Sequence, residues 1–279
     1  MNFENMILFP NAKINLGLRV LEKRPDGFHS IETVFLPINL TDVLEFVETG
    51  NELPSISISG TEVDGNPNEN LVMKAWQMMH EKYHIPFVDI HLHKNIPMGA
   101  GLGGGSADAA FMLKGLNEYF SCACREEELI NMAGRIGSDC AFFIRNTPML
   151  GSGRGEILEP LGIDLHNYEI LLIKPDLHIS TRDAYSEVTP TNYGFSLKDL
   201  VRSPITDWQR TLVNDFEASV FTKFPEIKTI KDILLKKGAL YATMSGSGSS
   251  VYGIFNKDSV KELDQDFGKY FVFRSRILE

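Results

Sequence analysis

Five glycines fall within the seven residues Gly99 to Gly105, where a strand pattern gives way to a helix pattern. No other stretch of the chain is as dense in glycine. Glycine has no Cβ and tolerates positive φ, so such a run lets several backbone N–H groups converge on one point. The helix that follows adds its own unpaired N–H groups and the positive end of its dipole. The expected product is a phosphate site built without formal charge, in preference to a turn made only for tight packing.

Composition makes a local device of this kind necessary. Lys and Arg number 27 against 37 Asp and Glu, a net charge of −10, so the overall field repels anions. The excess of clustered cations that a nucleic-acid surface needs is missing. With 43% hydrophobic and 23% charged residues in 279, the chain reads as one large or two ordinary globular domains. Cys122, Cys124 and Cys140 are an odd set, which argues against a disulfide framework and fits a reducing compartment. Apolar runs such as Cys140–Ile144 fall far short of the roughly 18 residues needed to span a bilayer. Met1-Asn2-Phe3-Glu4-Asn5 has no basic leader segment. The expectation is a cytoplasmic protein that engages neither nucleic acid nor membrane.

Periodicity orders the elements. Ile14, Leu16, Leu18 and Val20 alternate with Lys13, Asn15, Gly17 and Arg19, which puts Lys13 and Asn15 on one face of a strand. Pro25-Asp26-Gly27 signals a turn, and further strand patterns run to about Ile58. Helices are expected over 70–84, 106–119 and 125–136, with a strand from Val88 before the loop. Gly151-Ser152-Gly153-Arg154-Gly155 marks a composition shift and places a domain boundary near Pro160. Beyond it the order is a strand at 169–174, helices at 182–187, 197–200, 208–220 and 226–236, strands at 240–244 and 251–255, a helix at 260–267 and a strand at 271–275. That is an α+β order.

The loop is not a Walker A motif, because Gly105 is followed by Ser106 and Ala107 with no lysine. The pattern G-x-G-x-x-G does occur at Gly99, Gly101 and Gly104, but the acid expected at the end of a next strand is replaced by the start of another helix near Arg125. A second enzyme class is suggested by His80-Glu81-Lys82-Tyr83-His84, which fits the zinc motif H-E-x-x-H. Pro86 ends that helix two residues later, and His91 and His93 alternate on the next strand, so this reading is the weaker.

The string from Pro97 to Ala110 resembles the ATP loop of the GHMP small-molecule kinases. Pro10-Asn11-Ala12-Lys13-Ile14-Asn15-Leu16 and Met244-Ser245-Gly246-Ser247-Gly248-Ser249-Ser250 resemble that family's other two motifs, in the same order along the chain. The resemblance implies a two-domain α+β kinase. Residues 1–160 form an N-terminal ATP-binding domain of the ribosomal-protein-S5-domain-2-like kind, and residues 161–279 a ferredoxin-like C-terminal domain. Arg24-Pro25-Asp26-Gly27-Phe28-His29, Glu32-Thr33-Val34-Phe35, Gly137-Ser138-Asp139-Cys140-Ala141-Phe142-Phe143 and Ile179-Ser180-Thr181 with Ala184-Tyr185 resemble one branch of the family. That branch phosphorylates the 2-hydroxyl of a cytidine-diphosphate-linked methylerythritol on the non-mevalonate route to isopentenyl diphosphate. Phe28 stands where that branch usually has Tyr, Ala107 where it has Ser, and Ser138, Cys140 and Ala141 vary its Gly-Ala-Asp-Val-Pro pattern.

By this resemblance Lys13 and Asp139 are the catalytic pair: a cation beside the transferring phosphoryl, and a carboxylate at the attacking hydroxyl. Without it, Asp139 is equally a helix N-cap and Lys13 a solvated strand lysine. Pro97, Met98, Gly99, Ala100, Gly101, Leu102, Gly103, Gly104, Gly105, Ser106 and Ala107 would hold ATP, with Asn70, Leu71 and Lys94 along the adenine. Lys94 reads alternatively as a solubilising surface charge. Phe28 and Tyr185 would sandwich the cytosine, with Asn15, His29 and Thr181 as polar contacts and Ser247 and Gly248 closing over the substrates. ATP is the co-substrate and Mg²⁺ accompanies it, with Ser106 a candidate contact. The resemblance leaves a monomer or weak homodimer.

Overall fold

The computed structural model describes residues 5–61, 66, 69–260 and 263–276. Residues 1–4, read above for a leader, and residues 261–262 of the expected helix at 260–267 lie outside the described residues. Contacts divide the chain into two units, Met1–Ala12, Leu40–Met98 and Gly103–Asn146 in one, and Lys13–Asn39, Gly99–Leu102 and Thr147–Glu279 in the other.

The first unit is built on a four-stranded sheet. Its strands are β1 (Met6–Leu8), β4 (Val43–Glu48), β5 (Ser55–Gly60) and β6 (Val88–Lys94), in the order β1-β4-β6-β5. All neighbours are antiparallel except β5 and β6, which run parallel. Leu44, Phe46, Val88, Ile90 and Leu92 alternate into the core, as the period-2 pattern requires. Its helices among the described residues are α1 (Leu71–Tyr83), α2 (Gly104–Tyr119), α3 (Glu126–Ile136) and α4 (Cys140–Arg145). Val72, Ala75 and Met79 of α1 and Ala109, Met112, Leu113 and Leu116 of α2 are buried at helical spacing. Asn70 caps α1 by accepting from the Val72 N–H at 2.9 Å. The segment Cys140–Ile144, short and apolar in sequence, forms α4.

The second unit contains two sheets. One has the order β2-β3-β7-β8, from β2 (Asn11–Lys23), β3 (His29–Thr41), β7 (Met149–Ser152) and β8 (Ile157–Pro160); β2 joins the unit at Lys13, and β3 belongs to it up to Asn39. The other has the antiparallel order β10-β11-β9-β12, from β9 (Tyr168–Lys174), β10 (Tyr241–Met244), β11 (Val251–Asn256) and β12 (Phe271–Arg276). Between β9 and β10 lie α5 (Thr181–Tyr185), α6 (Leu197–Leu200), α7 (Ile205–Thr211), α8 (Phe216–Lys223) and α9 (Pro225–Lys236). Leu18, Val20 and Ile31 share one core with Leu171, Ile173, Phe216, Ile227, Ile230 and Phe267.

Three details depart from the periodicity. Gly151–Gly155, read as a composition shift, is a hairpin: Met149 to Ser152 pairs with Pro160 to Ile157, and Gly153 and Gly155 take φ of 69° and 107° in the turn. The helix expected over 208–220 is two helices. It breaks because Val213–Asp215 docks along β2, with Leu18 N–H on Val213 O and Asp215 N–H on Leu18 O, and two backbone hydrogen bonds outweigh local helix propensity. Residues 263–267, expected as part of an α-helix, form a 3₁₀ turn.

Candidate active site

In the first unit, β6 runs into the glycine-rich segment and α2 leaves it. Gly103 sits at the N-cap with φ of 72°, a left-handed conformation that a β-branched residue adopts only with strain. No side chain caps α2, so the N–H groups of its first turn are not met by a local cap. A Cβ on Gly104 would stand 2.9 Å from Ile96 Cγ2 and 3.3 Å from Lys94 Nζ. At Gly105 a Cβ would meet only Leu71 Cδ1, at 3.9 Å. Ser106, in the same turn, is hydrogen-bonded to the Cys140 thiol, which burial pushes up to about 11.

Lys94 is not a surface charge. It is 2% exposed, and its ammonium bridges Asp42 and Asp108, the latter at 2.6 Å. Asp42 Oδ1 accepts from the N–H groups of Asn95 and Ile96 at 2.6 and 2.8 Å. Burial acts to lower the Lys94 pKa, but the two carboxylates outweigh it and hold the ammonium above its ordinary value. One ammonium cannot fully satisfy two buried carboxylates. Burial pushes the Asp108 carboxyl up to about 7, with Lys94 opposing and Asp42 adding to the rise. A carboxyl raised in this way keeps its proton in the folded state while the unfolded chain has lost it. Stability therefore falls as pH rises from about 4 to about 7. Asp108→Asn is expected to flatten that slope and to stabilise the protein at pH 8, by on the order of a few kcal/mol relative to pH 5. Thermal melts at the two pH values check it; an unchanged slope would remove Asp108 as its source.

Asp139 occupies the N-cap position of α4, yet its side chain makes no capping hydrogen bond. The capping role open from sequence is not the one it plays. The zinc pattern is also undone by geometry. His84 is the left-handed C-cap of α1 with φ of 54°, and His80 Nδ1 bonds Ile85 O while its ring stacks on Trp76. His91 and His93 both meet the Ser59 hydroxyl at 2.9 Å.

In the second unit, Lys13 is 3% exposed, so the solvated-strand reading falls. Its ammonium donates to Asn15 Oδ1 at 2.8 Å and to Gly101 O at 3.0 Å, and it lies 5.5 Å from the Phe35 ring centroid. Asn15 Nδ2 donates to Thr33 Oγ1, so its amide also orients the lysine. The third motif packs on residues 99–102. Ser245 Oγ donates to Gly101 O at 2.9 Å, Ser250 N–H to Ala100 O, and a Cβ on Gly101 would stand 2.0 Å from Ser245 O. Gly248, with φ of 86°, packs on Met244 and Ile179, and Ser247 is half-buried beside it. Buried Asn214, whose role sequence reasoning missed, donates to both Met244 O and Gly246 O at 2.8 Å and so holds that motif's turn. His178 is a second omission: a Cβ on Gly99 would stand 2.5 Å from its Nδ1.

Phe28 is 54% exposed after its turn, so it is not a core ring. The Arg154 guanidinium lies 4.9 Å from its centroid. Tyr185 is half-buried, edge-on to Phe216, and stacks on His29 at 4.8 Å and 20°. His29 thus shares the aromatic surface. Thr181 is exposed at the start of α5, behind the N-cap Ser180.

The family models "GHMP kinases N terminal domain" and "GHMP kinases C terminal" match residues 70–147 and 196–272. A mevalonate kinase from Methanococcus jannaschii shares the fold, with a TM-score of 0.75 at 16% identity over 99% of both chains. The chain belongs to the GHMP kinase family, and within it to the group named 4-diphosphocytidyl-2-C-methyl-D-erythritol kinase. A relative of that name from Bacteroides fragilis is 49% identical over 98% of this chain and all of its own. One from Cytophaga hutchinsonii is 48% identical over 90% and 93%. A crystal structure of 4-(cytidine 5'-diphospho)-2C-methyl-D-erythritol kinase aligns with a TM-score of 0.84 at 28% identity, covering 98% of this chain and 100% of that one. The protein is an ATP-dependent phosphotransferase. Among the described residues no helix is long and apolar enough to cross a membrane.

Proposed function

We propose that the protein transfers the γ-phosphoryl group of ATP to the 2-hydroxyl of 4-diphosphocytidyl-2-C-methyl-D-erythritol. The reading keeps residues 1–160 as the ATP-binding domain and 161–279 as the second domain, acting as a cytoplasmic monomer or weak homodimer. The hydroxyl oxygen attacks Pγ, the bond from Pγ to the bridging oxygen of ADP breaks, and the hydroxyl proton passes to Asp139 and then to solvent. The transition state is loose and spreads charge over the phosphoryl oxygens, so positioning and electrostatics carry most of the catalysis. Lys13 supplies the cation, held by Asn15 and Gly101 O. The backbone N–H groups of residues 99–107 cradle the phosphates, and Asn70 and Leu71 line the adenine. Mg²⁺ enters as part of MgATP. Among the described residues no cluster of three or more His, Cys, Asp or Glu could hold a metal ion. When bound, it would be held through the ATP phosphates, with the Ser106 hydroxyl a candidate contact, and would neutralise charge on the transferring group.

The observation that carries the cytidine assignment is the exposed ring of Phe28, next in sequence to His29, whose own ring stacks on Tyr185. Phe28→Ala is expected to raise KM for the cytidine substrate by about 5- to 150-fold, from a stacking worth about 1–3 kcal/mol per base. KM for ATP and the melting temperature should barely move, because the ring is exposed and touches no reacting atom. Tyr185→Ala lowers both affinity and stability, since Tyr185 also packs on Phe216. CDP should inhibit the wild type and inhibit Phe28→Ala less. A coupled ADP-release assay against homoserine, galactose and mevalonate tests the whole reading; turnover on one of these and none on the cytidine compound would sink it.

A further inference from the structure

We propose that the buried trio Asp42, Lys94 and Asp108 positions the two ends of the glycine-rich loop for ATP, making Lys94 a positioning residue rather than a ligand of the nucleotide. The proposal rests on the reading that this loop takes the triphosphate.

The entry to the loop is held by Asp42. Its Oδ1 accepts from the N–H groups of Asn95 and Ile96, the two residues before Pro97. The exit is held by Asp108, which stands in α2 four residues after its first residue, Gly104, and accepts from Lys94 Nζ through Oδ2 at 2.6 Å. Lys94, the last residue of β6, joins the two: its ammonium also pairs with Asp42 and lies 3.3 Å from where a Cβ of Gly104 would be. One ammonium therefore fixes the spacing between the strand that enters the loop and the helix that leaves it. All three side chains are 2% exposed or less, so water screens the trio weakly.

Stability alone gives little reason to keep such a trio. Buried ion pairs often contribute no more than well-packed apolar groups of similar volume. Here the arrangement is also incomplete, because Asp108 Oδ1 is buried with no hydrogen-bond partner. The trio does give defined directions to chain segments on both sides of a loop made of glycine, which cannot fix its own course. Backbone N–H groups stabilise a transferring phosphoryl only when held in place before the reaction.

The test is the neutral triple variant Asp42→Asn/Lys94→Met/Asp108→Asn. It leaves no unpaired buried charge, and the amide oxygen introduced at position 42 can still accept the two backbone N–H groups. KM for ATP should rise about tenfold or more, the scale of one lost charge-assisted hydrogen bond to phosphate. KM for the cytidine substrate should stay within about twofold, with little change in melting temperature. Asp108→Asn alone, which preserves the Lys94–Asp42 pair, should raise KM for ATP by about threefold and decides the matter if the triple variant does not fold. Folded variants that keep the wild-type KM for ATP, whatever their melting temperature, overturn the proposal. Gly105→Val separates this failure from that of the loop reading: if it too leaves KM for ATP unchanged, the loop does not bind ATP and both fall.

Discussion

Asp139→Asn is expected to lower turnover by about 10²–10⁴-fold, the scale of a lost acid–base group, while KM for ATP and melting temperature stay near wild type. The substitution keeps the shape of the side chain and removes its charge. It removes no helix cap, because Asp139 makes no capping hydrogen bond although it stands at the N-cap of α4. In a loose phosphoryl transfer the carboxylate both orients the hydroxyl and takes its proton late. An Asn can still orient but cannot accept the proton, so the size of the loss divides the two contributions. Single-turnover rates with saturating ATP and cytidine substrate check it, and near wild-type rates would remove Asp139 from the reaction.

Gly105→Val is expected to weaken ATP binding by about 10- to 100-fold without lowering stability. Several loop glycines are poor test sites. Gly103 has φ of 72°, so a valine there is strained regardless of ligand, and at Gly101 a Cβ would strike Ser245 O at 2.0 Å. Gly105 is helical, and a Cβ there meets only Leu71 Cδ1 at 3.9 Å. Replacing a helical glycine by valine is neutral or favourable by a few tenths of a kcal/mol on propensity. The same bulk stands over the first turn of α2, beside Leu71. Losing one or two charge-assisted hydrogen bonds to phosphate, at about 1.5–3 kcal/mol each, gives the expected range. Nucleotide titration set beside a melt of the free protein checks it. A parallel fall in both would mean that the glycine serves packing alone.

The elements that were legible in the sequence are those whose pattern is local. Strands β2 to β6 and helices α1 to α3 follow from periodicity, and Asn70 and Pro86 bracket α1 as their chemistry dictates. The glycine-rich loop was legible because no other element needs that composition. What escaped depends on distant partners. A helix-like stretch broke at Asn214 because β2 and the turn of the third motif claim its backbone and its amide. The hairpin at 149–160 was hidden by short strands around a glycine-rich turn. Lys94 looked like a surface charge because its two partners lie 52 and 14 residues away. A signal was nevertheless present: Asp108 is a lone acid among Ala107, Ala109 and Ala110 on a buried helical face, and a carboxylate there requires a cation.

The long hairpin of β2 and β3 also sets the order in which the chain can mature. Leu18, Val20 and Ile31 leave the ribosome early, yet the core they enter includes Ile227, Ile230 and Phe267, near the end of the chain. At about 5–20 residues per second, the hairpin waits roughly 10–45 s for its last partners. The first unit, which ends at Asn146, can close much sooner. A nascent chain stalled near residue 200 should therefore protect its helices α1 to α3 from protease while the segment 13–39 is still cut. Slow synthesis prolongs the exposure of two apolar strands, and chaperone demand should rise with that delay rather than with the stability of the finished enzyme.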